Sequence, residues 1–549
     1  MGQDAGLAPV TEPTTRPTSR PTTRPTTRPA PEARPAGPAG DPPGSPDLGA
    51  LARRSSASVL GSVFAAVANV ALVVAVTRGI DQRSAGLFFT ATSLFLLLEV
   101  ACRLGTTTGL VFFISRFRVT GQAGRLRPLL RIALWPVLLA SVGVGAVVAV
   151  AAPVVSEGLG GGGELVTALR VLAVFLPIAA VYDAVTAATR GYQDMTPTIL
   201  VERIGRPLAQ LVLVVGALLA GSTALLVPAW SVPYLAALLA AGWSLRRLHG
   251  AYRARHRDAR PAPAGEVAGP FWRYSAPLVL ANVAQIALQR LDIVLVGMLR
   301  GPTEAAIYAA ATRFLVAGQL GSQAVSLAVQ PTLAELLATK DIAATRTLYQ
   351  LSTAWLISLT WPLYLLSAVL APQLVTLFGR GYETGADVVV VLAVAMLIAT
   401  GCGMVDMMLT MAGKTSWNLG TVLLALAVNV GLDLLLIPRY GVIGAAIAWA
   451  VAIALNNLLP LAQVRGLLRI HPLGPQARTM MAAAVGFLGL LPLAARLATD
   501  SGLLLLLAVA AGAAGYLTVL LRCRRQLQLD QLIRPRRRGR ISRSSRASG

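Results

Sequence analysis

Several arginines and carboxylates stand inside otherwise apolar stretches, at spacings that could do chemistry. Glu99 and Arg103 are four residues apart, acid first, the order that favours an intrahelical pair. Glu202 and Arg206 repeat that spacing, with Arg203 beside them, and Asp183, Arg290, Arg313, Asp406 and Asp433 are further embedded charges. An ionisable group in mid-span costs about 2.5–3.5 kcal/mol on insertion scales, so it normally faces a cavity or a partner. A guanidinium stays charged and presents a planar fork of donors that suits a phosphate. Arg103, Arg203, Arg206, Arg290 and Arg313 are therefore candidates to hold an anionic head group. Structural ion pairing fits each of them at least as well, and Arg203 and Arg206 also suit an interfacial position.

Uncharged polar residues add to this set. Asn282, Gln285, Gln289 and Asp292 follow the spacing i, i+3, i+7, i+10, which puts all four on one helical face. A second stripe holds Thr312, Gln319, Gln323, Ser326 and Gln330, and Ser58, Ser62 and Asn69 share a face near the start of the apolar region. Such faces either line a hydrated cavity that bonds a polar head group or bond helix to helix.

Enzymatic constellations are missing. The sequence has no phosphate-binding loop with Gly-Lys-Ser/Thr, no His–Glu metal motif and no nucleophilic Ser elbow, so no catalytic residue, cofactor or metal is expected. His249, His256 and His471 fall in basic loops, and Cys102, Cys402 and Cys523 have neither metal-ligand spacing nor a disulfide framework. With no ATP site, an ion gradient, the membrane potential or the substrate gradient must drive any transport. The potential supplies about 2.3 kcal/mol per charge per 100 mV.

The elements that position these residues are membrane spans. Hydrophobic residues make up 55% of the chain and charged residues 13%, with a mean hydropathy of +0.65, too apolar for a soluble protein of this length. Fourteen apolar segments are expected, at 57–77, 85–115, 128–152, 165–189, 198–220, 224–245, 274–299, 304–338, 350–371, 386–411, 416–437, 441–464, 479–499 and 502–521. Most are near the roughly 20 residues a helix needs to cross a bilayer. The second and eighth are long enough to require tilt or extension beyond the membrane.

Basic residues cluster in every second loop. One set of loops holds Arg53, Arg54, Arg116, Arg118, Arg125, Arg127, Arg131, Arg190, Arg246 to Arg273, Lys340, Arg346, Lys414, Arg465, Arg469 and Arg478. The other holds only Arg78, Arg83, Arg170, Arg300, Arg380, Arg439 and Arg496. The first set is expected on the cytoplasmic side, which puts both termini inside a bacterial-type inner membrane. The net charge of +24 reflects this asymmetry and two basic tails; partnership with anionic membrane lipids follows, and nucleic acid does not.

Six regions are expected. Residues 1–52 form a Pro/Thr/Arg-rich tail that cannot bury a core. Residues 53–248 hold six spans, 249–270 form a basic linker, 271–470 hold six more, 471–521 hold two, and 522–549 form a basic tail. The two six-span regions look duplicated. Arg78-Gly79 aligns with Arg300-Gly301, and Gly191 with Gly413, both at an offset of 222. Six is even, so the copies insert in the same orientation, as two parallel lobes around a central cavity.

The text "NVGLDLLLIPRYGVIGAAIAWA", Asn429 to Ala450, is the most specific in the chain. It reads as a helix ended by Pro438, a tight turn at Arg439-Tyr440-Gly441 and a helix opened by small residues. The string resembles the LIPxYGxxGAA hallmark of polysaccharide exporters of the multidrug/oligosaccharidyl-lipid/polysaccharide (MOP) superfamily. Residues 60–88, 290–314 and 377–397 resemble further stretches of that family, in the same order. The resemblance implies an all-α, MATE-like polytopic fold. It also implies a Wzx-type flippase that moves undecaprenyl-pyrophosphate-linked oligosaccharide for cell-surface polysaccharide synthesis. It implies as partners the lipid-linked oligosaccharide, a coupling cation or proton, and polysaccharide polymerase machinery. Fourteen spans exceed the twelve common among Wzx-type members, and the extra pair resembles lipid II flippases, the second reading. A multidrug/cation exporter ranks third, since cationic substrates sit poorly with embedded arginines. A non-transporting scaffold is the reading from a different class.

Overall fold

A computed structural model of the chain describes residues 48–256, 260, 262–499 and 501–528. Met1–Leu51 forms one unit and Ala52–Gly549 another. The tail expected over 1–52 lies outside the described residues up to position 47, and the first helix begins at Leu48. Most of the tail expected over 522–549 lies outside them too.

Apolar composition, with every backbone polar group needing an internal partner in lipid, makes these segments helices. They run α1 (Leu48–Gly79), α2 (Gln82–Cys102), α3 (Thr106–Val119), α4 (Leu126–Gly158) and α5 (Gly162–Gly191). Then come α6 (Arg206–Leu219), α7 (Leu226–Ser231), α8 (Pro233–Arg255), α9 (Ala264–Arg300) and α10 (Pro302–Ala311). Next are α11 (Arg313–Ala338), α12 (Ile342–Val369), α13 (Ala371–Val375), α14 (Gly385–Gly401) and α15 (Val405–Met411). The last are α16 (Thr415–Leu468), α17 (Pro475–Ala484), α18 (Leu491–Ala498) and α19 (Gly502–Cys523).

Among the described residues, 11 helical stretches are long and apolar enough to cross a membrane. One of them, α16, is two passes, because Gly441 leaves helical geometry with φ 58° and ψ −138°. Residues 198–219 make a further pass that carries Glu202, Arg203 and Arg206, and α10 with α11 makes another. The total is the fourteen expected. The turn expected at Arg439-Tyr440-Gly441 is thus a break at one residue, where a Cβ would come within 2.5 Å of Glu304 Oε2.

The two overlong segments are broken rather than merely tilted. Between α2 and α3, Leu104 and Gly105 take φ values of 51° and 68°, and Thr106 Oγ1 donates to the freed Arg103 carbonyl at 2.7 Å. The eighth pass divides at Thr312, which joins α10 to α11. A third irregularity is the π-helical turn Thr198–Gly205 that leads into α6. Broken spans are tolerated only where other groups satisfy the backbone, and they commonly mark sites.

The two halves of the helical region meet along α2. It packs on α9 and α10, and α3 continues the contact with α9. Close approach depends on small residues. A Cβ on Gly86 would lie 1.7 Å from the Pro302 carbonyl oxygen, and one on Gly109 would lie 2.2 Å from Ser275 Oγ. At the arginine-poor end, Arg78 Nε donates to Leu377 O at 2.7 Å and Nη2 to Thr376 O at 3.2 Å. Gln82 Nε2 donates to Arg380 O at 3.4 Å beside them. The last two passes dock on α12: Tyr516 Oη donates to Ser358 O at 2.9 Å and Arg496 Nη1 to Val369 O at 2.8 Å.

Candidate functional site

Three of the candidate cations sit at the helix irregularities. Arg103 ends α2 at its break, Arg203 lies in the π-helical turn, and Arg313 opens α11. Arg206 follows the π turn directly. A broken helix exposes backbone dipoles and turns side chains toward the interior, as transporter sites require.

In the N-terminal half these charges are largely compensated. Arg103 ion-pairs with Glu99, as its spacing suggests, and also with Asp183 of α5. Glu99 is 1% exposed and Asp183 18%. Glu202 pairs with Arg190 at 3.3 Å and not with Arg206. The π turn spreads residues over a wider turn, so the four-residue spacing no longer aligns the two side chains. Arg206 Nη1 instead donates to Tyr234 Oη at 2.9 Å, while its Nε has no hydrogen-bond partner. The Arg203 stem packs over Gly61 of α1.

In the C-terminal half the candidate cations Arg290 and Arg313 form no ion pair with a carboxylate among the described residues. Arg290 on α9 lies within electrostatic reach of Tyr234, and its Nε is buried without a partner. Arg313, 6% exposed, donates from Nε to Ala309 O at 2.9 Å and from Nη1 to Asn69 Oδ1 at 3.1 Å. Arg290 and Arg313 act on each other electrostatically. Tyr234 in turn feels Arg206, Glu99, Asp183 and Arg103. Arg103 and Arg206 thus have a carboxylate or tyrosine partner in the N-terminal half, while Arg290 and Arg313 have no carboxylate partner among the described residues.

The polar stripes divide. Gln285, Gln289, Gln319, Ser322 and Ser326 line one cavity of about 280 Å³ inside the C-terminal half, with Asp406, Asn418, Asn456 and Asn457 opposite. Asn282 is half-buried and Gln323 exposed, and neither belongs to that lining. Asp292 leaves the stripe for a different cluster. It accepts from Tyr308 Oη at 2.7 Å and from Asn429 Nδ2 at 3.1 Å, and Asn429 Nδ2 also donates to Asp433 Oδ2 at 2.6 Å. All four residues are buried, among the described residues no arginine forms an ion pair with them, and Asn429 Oδ1 and Asp433 Oδ1 have no hydrogen-bond partner there.

Sequence reasoning passed over Tyr234, Tyr308 and the role of Asn429. A signal for the last was present, since Asn429 and Asp433 are four residues apart in an apolar helix. Tyr234 and Tyr308 carried none, because tyrosine is ordinary in a span.

Many helices, broken passes and a polar interior define a multi-pass membrane protein of the MOP superfamily fold. The chain is similar to a lipid II flippase, MurJ, in an inward closed conformation: TM-score 0.66, 13% identity, 88% of this chain and 100% of that one. It is similar to an inward-facing multidrug resistance MATE family transporter of the MOP superfamily: TM-score 0.61, 16% identity, 74% and 94% covered. A MOP superfamily transporter from Pyrococcus furiosus, described as having a binding pocket of reverse polarity, matches with TM-score 0.51 and 15% identity over 76% and 95%. No curated protein matches the chain by sequence. Residues 129–385, just under half of the chain, match the family described as polysaccharide biosynthesis protein. Family match and shared fold together bear out the resemblance to polysaccharide exporters and flippases of the MOP superfamily.

Proposed function

We propose that the protein is a flippase for undecaprenyl-pyrophosphate-linked oligosaccharide, working by alternating access in the inner membrane with its arginine-rich end and both termini cytoplasmic. The observation that carries this reading is the pair Arg290 and Arg313: Arg313 is buried, Arg290 is half-buried with an unpartnered Nε, and neither has a carboxylate partner among the described residues. Such a pair is costly unless a mobile anion completes it. The pyrophosphate enters from the inner leaflet and is neutralised by Arg290 and Arg313, while the polyprenyl tail stays in lipid. Gln285, Gln289 and Gln319 exchange hydrogen bonds with sugar hydroxyls. The family description and the MOP fold support an exporter or flippase of this kind.

Energy coupling is assigned to Asp292, Asn429 and Asp433. The unpartnered Asn429 Oδ1 and Asp433 Oδ1 next to a shared carboxylate pair suit a proton or a small monovalent cation. Binding there removes repulsion between two buried acids and biases α9 against α16.

The test is reconstitution of the protein with a fluorescent undecaprenyl-pyrophosphate oligosaccharide, scoring protection from a membrane-impermeant reagent. Movement that falls at least tenfold in Arg290→Gln and loses gradient dependence in Asp433→Asn is expected. Unchanged movement in Arg290→Gln removes the phosphate assignment. Lipid II is the second reading, favoured by the alignment over the whole length of MurJ; faster movement of lipid II than of the oligosaccharide donor in the same vesicles selects it.

A further inference from the structure

A cleft of about 550 Å³ lies between α12, α14, the second half of α16 and α17. Its walls are apolar and include Leu397, Ile398, Leu458 and Leu461, and its mouth carries Arg465, His471 and Arg478. No Asp or Glu lines it. Neither the Arg465 nor the Arg478 guanidinium has a side-chain hydrogen bond or ion pair among the described residues. At about 1.5 Å per residue, Leu458 lies roughly 10 Å deeper along the helix than Arg465. The cavity is thus an apolar slot with a cationic rim at the arginine-rich end.

This cleft is separate from the polar cavity, and α14 is the wall between them. Met396, Ala399 and Thr400 face the polar cavity, whereas Leu397, Ile398 and Gly401 face the cleft. More basic charge stands nearby. Trp355 Nε1 donates to Leu527 O at 2.7 Å, and Leu527 is buried with Ala477 and Met480 of α17, so the basic stretch 522–525 precedes a residue docked on the same helices.

We propose that the cleft binds an anionic glycerophospholipid of the leaflet at the arginine-rich end. Its phosphate sits between Arg465 and Arg478, and an acyl chain fills the slot beside α14. Charge complementarity selects the occupant: a rim with two unpaired guanidiniums and no carboxylate disfavours a cationic or zwitterionic amphiphile. The apolar depth excludes a free phosphate as the full ligand. A lipid held there touches the helix whose other face lines the polar cavity, so it sets how readily α14 moves.

The full chain, extracted in mild detergent and stripped of lipid, is titrated with phosphatidylglycerol or phosphatidylcholine and read by native mass spectrometry. At least tenfold tighter retention of one phosphatidylglycerol than of phosphatidylcholine is expected. Arg465→Gln with Arg478→Gln lowers that retention fivefold or more, and Leu461→Trp, which fills the slot, lowers it with the arginines intact. Arg246→Gln with Arg253→Gln, at exposed arginines of α8, leaves it unchanged. Equal retention of the two lipids, no loss in the first double variant, or equal loss in the second overturns the proposal. So does one-for-one displacement by undecaprenyl phosphate, which makes the cleft part of a substrate path. The readout needs no transport, so its failure is distinct from failure of the flippase assignment.

Discussion

Arg103 on α2 ion-pairs with Asp183 on α5, and the same guanidinium holds Glu99 one helical turn away. One cation between two carboxylates is a structural keystone of the N-terminal half. Arg103→Gln leaves buried Glu99 and half-buried Asp183 facing each other without a counter-ion. The expected cost is on the order of 3–5 kcal/mol, because the remaining charges lose their partner. Thermal unfolding in detergent reads this as a marked drop in melting temperature, whereas Arg290→Gln leaves it near wild type. A stable Arg103→Gln protein would show that the acids take up protons or rearrange.

The contact of Arg78 with the carbonyls of Thr376 and Leu377 closes the arginine-poor end. A guanidinium reaching two main-chain oxygens is a reversible latch, exposed to water and individually weak. Arg78→Ala is expected to shift the protein toward states open at that end. A cysteine placed at Gln289 in a background without native cysteines then reacts faster with an impermeant thiol reagent added from that side. Unaltered labelling would mean that other contacts hold the end shut.

Gly441 sits in a region of backbone space that side chains rarely enter, and its missing Cβ makes room for Glu304. Gly441→Ala combines about 1–3 kcal/mol of backbone strain with a steric conflict at α10. Folded yield and melting temperature should both fall. Glu304→Ala removes the conflict but not the strain, so the double variant recovers part of the loss.

Asp81 caps α2, accepting from the Ser84 amide at 3.0 Å. That bond stabilises the carboxylate and holds its pKa below the ordinary 3.8. A depressed folded value means the cap's contribution is complete above 3.8 and is lost as pH falls through the folded value. Asp81→Ala is expected to cost about 1 kcal/mol at neutral pH, and the difference from wild type should shrink in acid. A constant difference down to pH 3 would assign the cap to something other than the carboxylate.

The spans were legible in the sequence because lipid imposes one rule, an apolar helical stretch long enough to cross, and fourteen segments meet it even where a pass is broken. The pair Glu99–Arg103 was legible for a similar reason, as helix geometry alone brings such residues together. Its third member, Asp183, is 80 residues away in the chain, and only packing of α2 on α5 could reveal the triad. Glu202 and Arg206 misled because spacing implies a neighbour only if the helix is regular, and here it is π-helical. The stripe that ends at Asp292 was correct as a face, but two neighbourhoods share it: a cavity beside Gln285 and Gln289, and a buried carboxylate cluster at Asp292.

The glycine-lined contact of α2 and α3 with α9 and α10 runs along the inside of both halves. A backbone-to-backbone line of that length behaves like the spine of a book. The covers can swing, but the binding cannot part without separating surfaces that no side chain is present to refill. If the proposed flippase reading holds, exchange between leaflets turns about this line, and a bulky residue at Gly86 or Gly109 should jam the motion without touching Arg290 or Arg313.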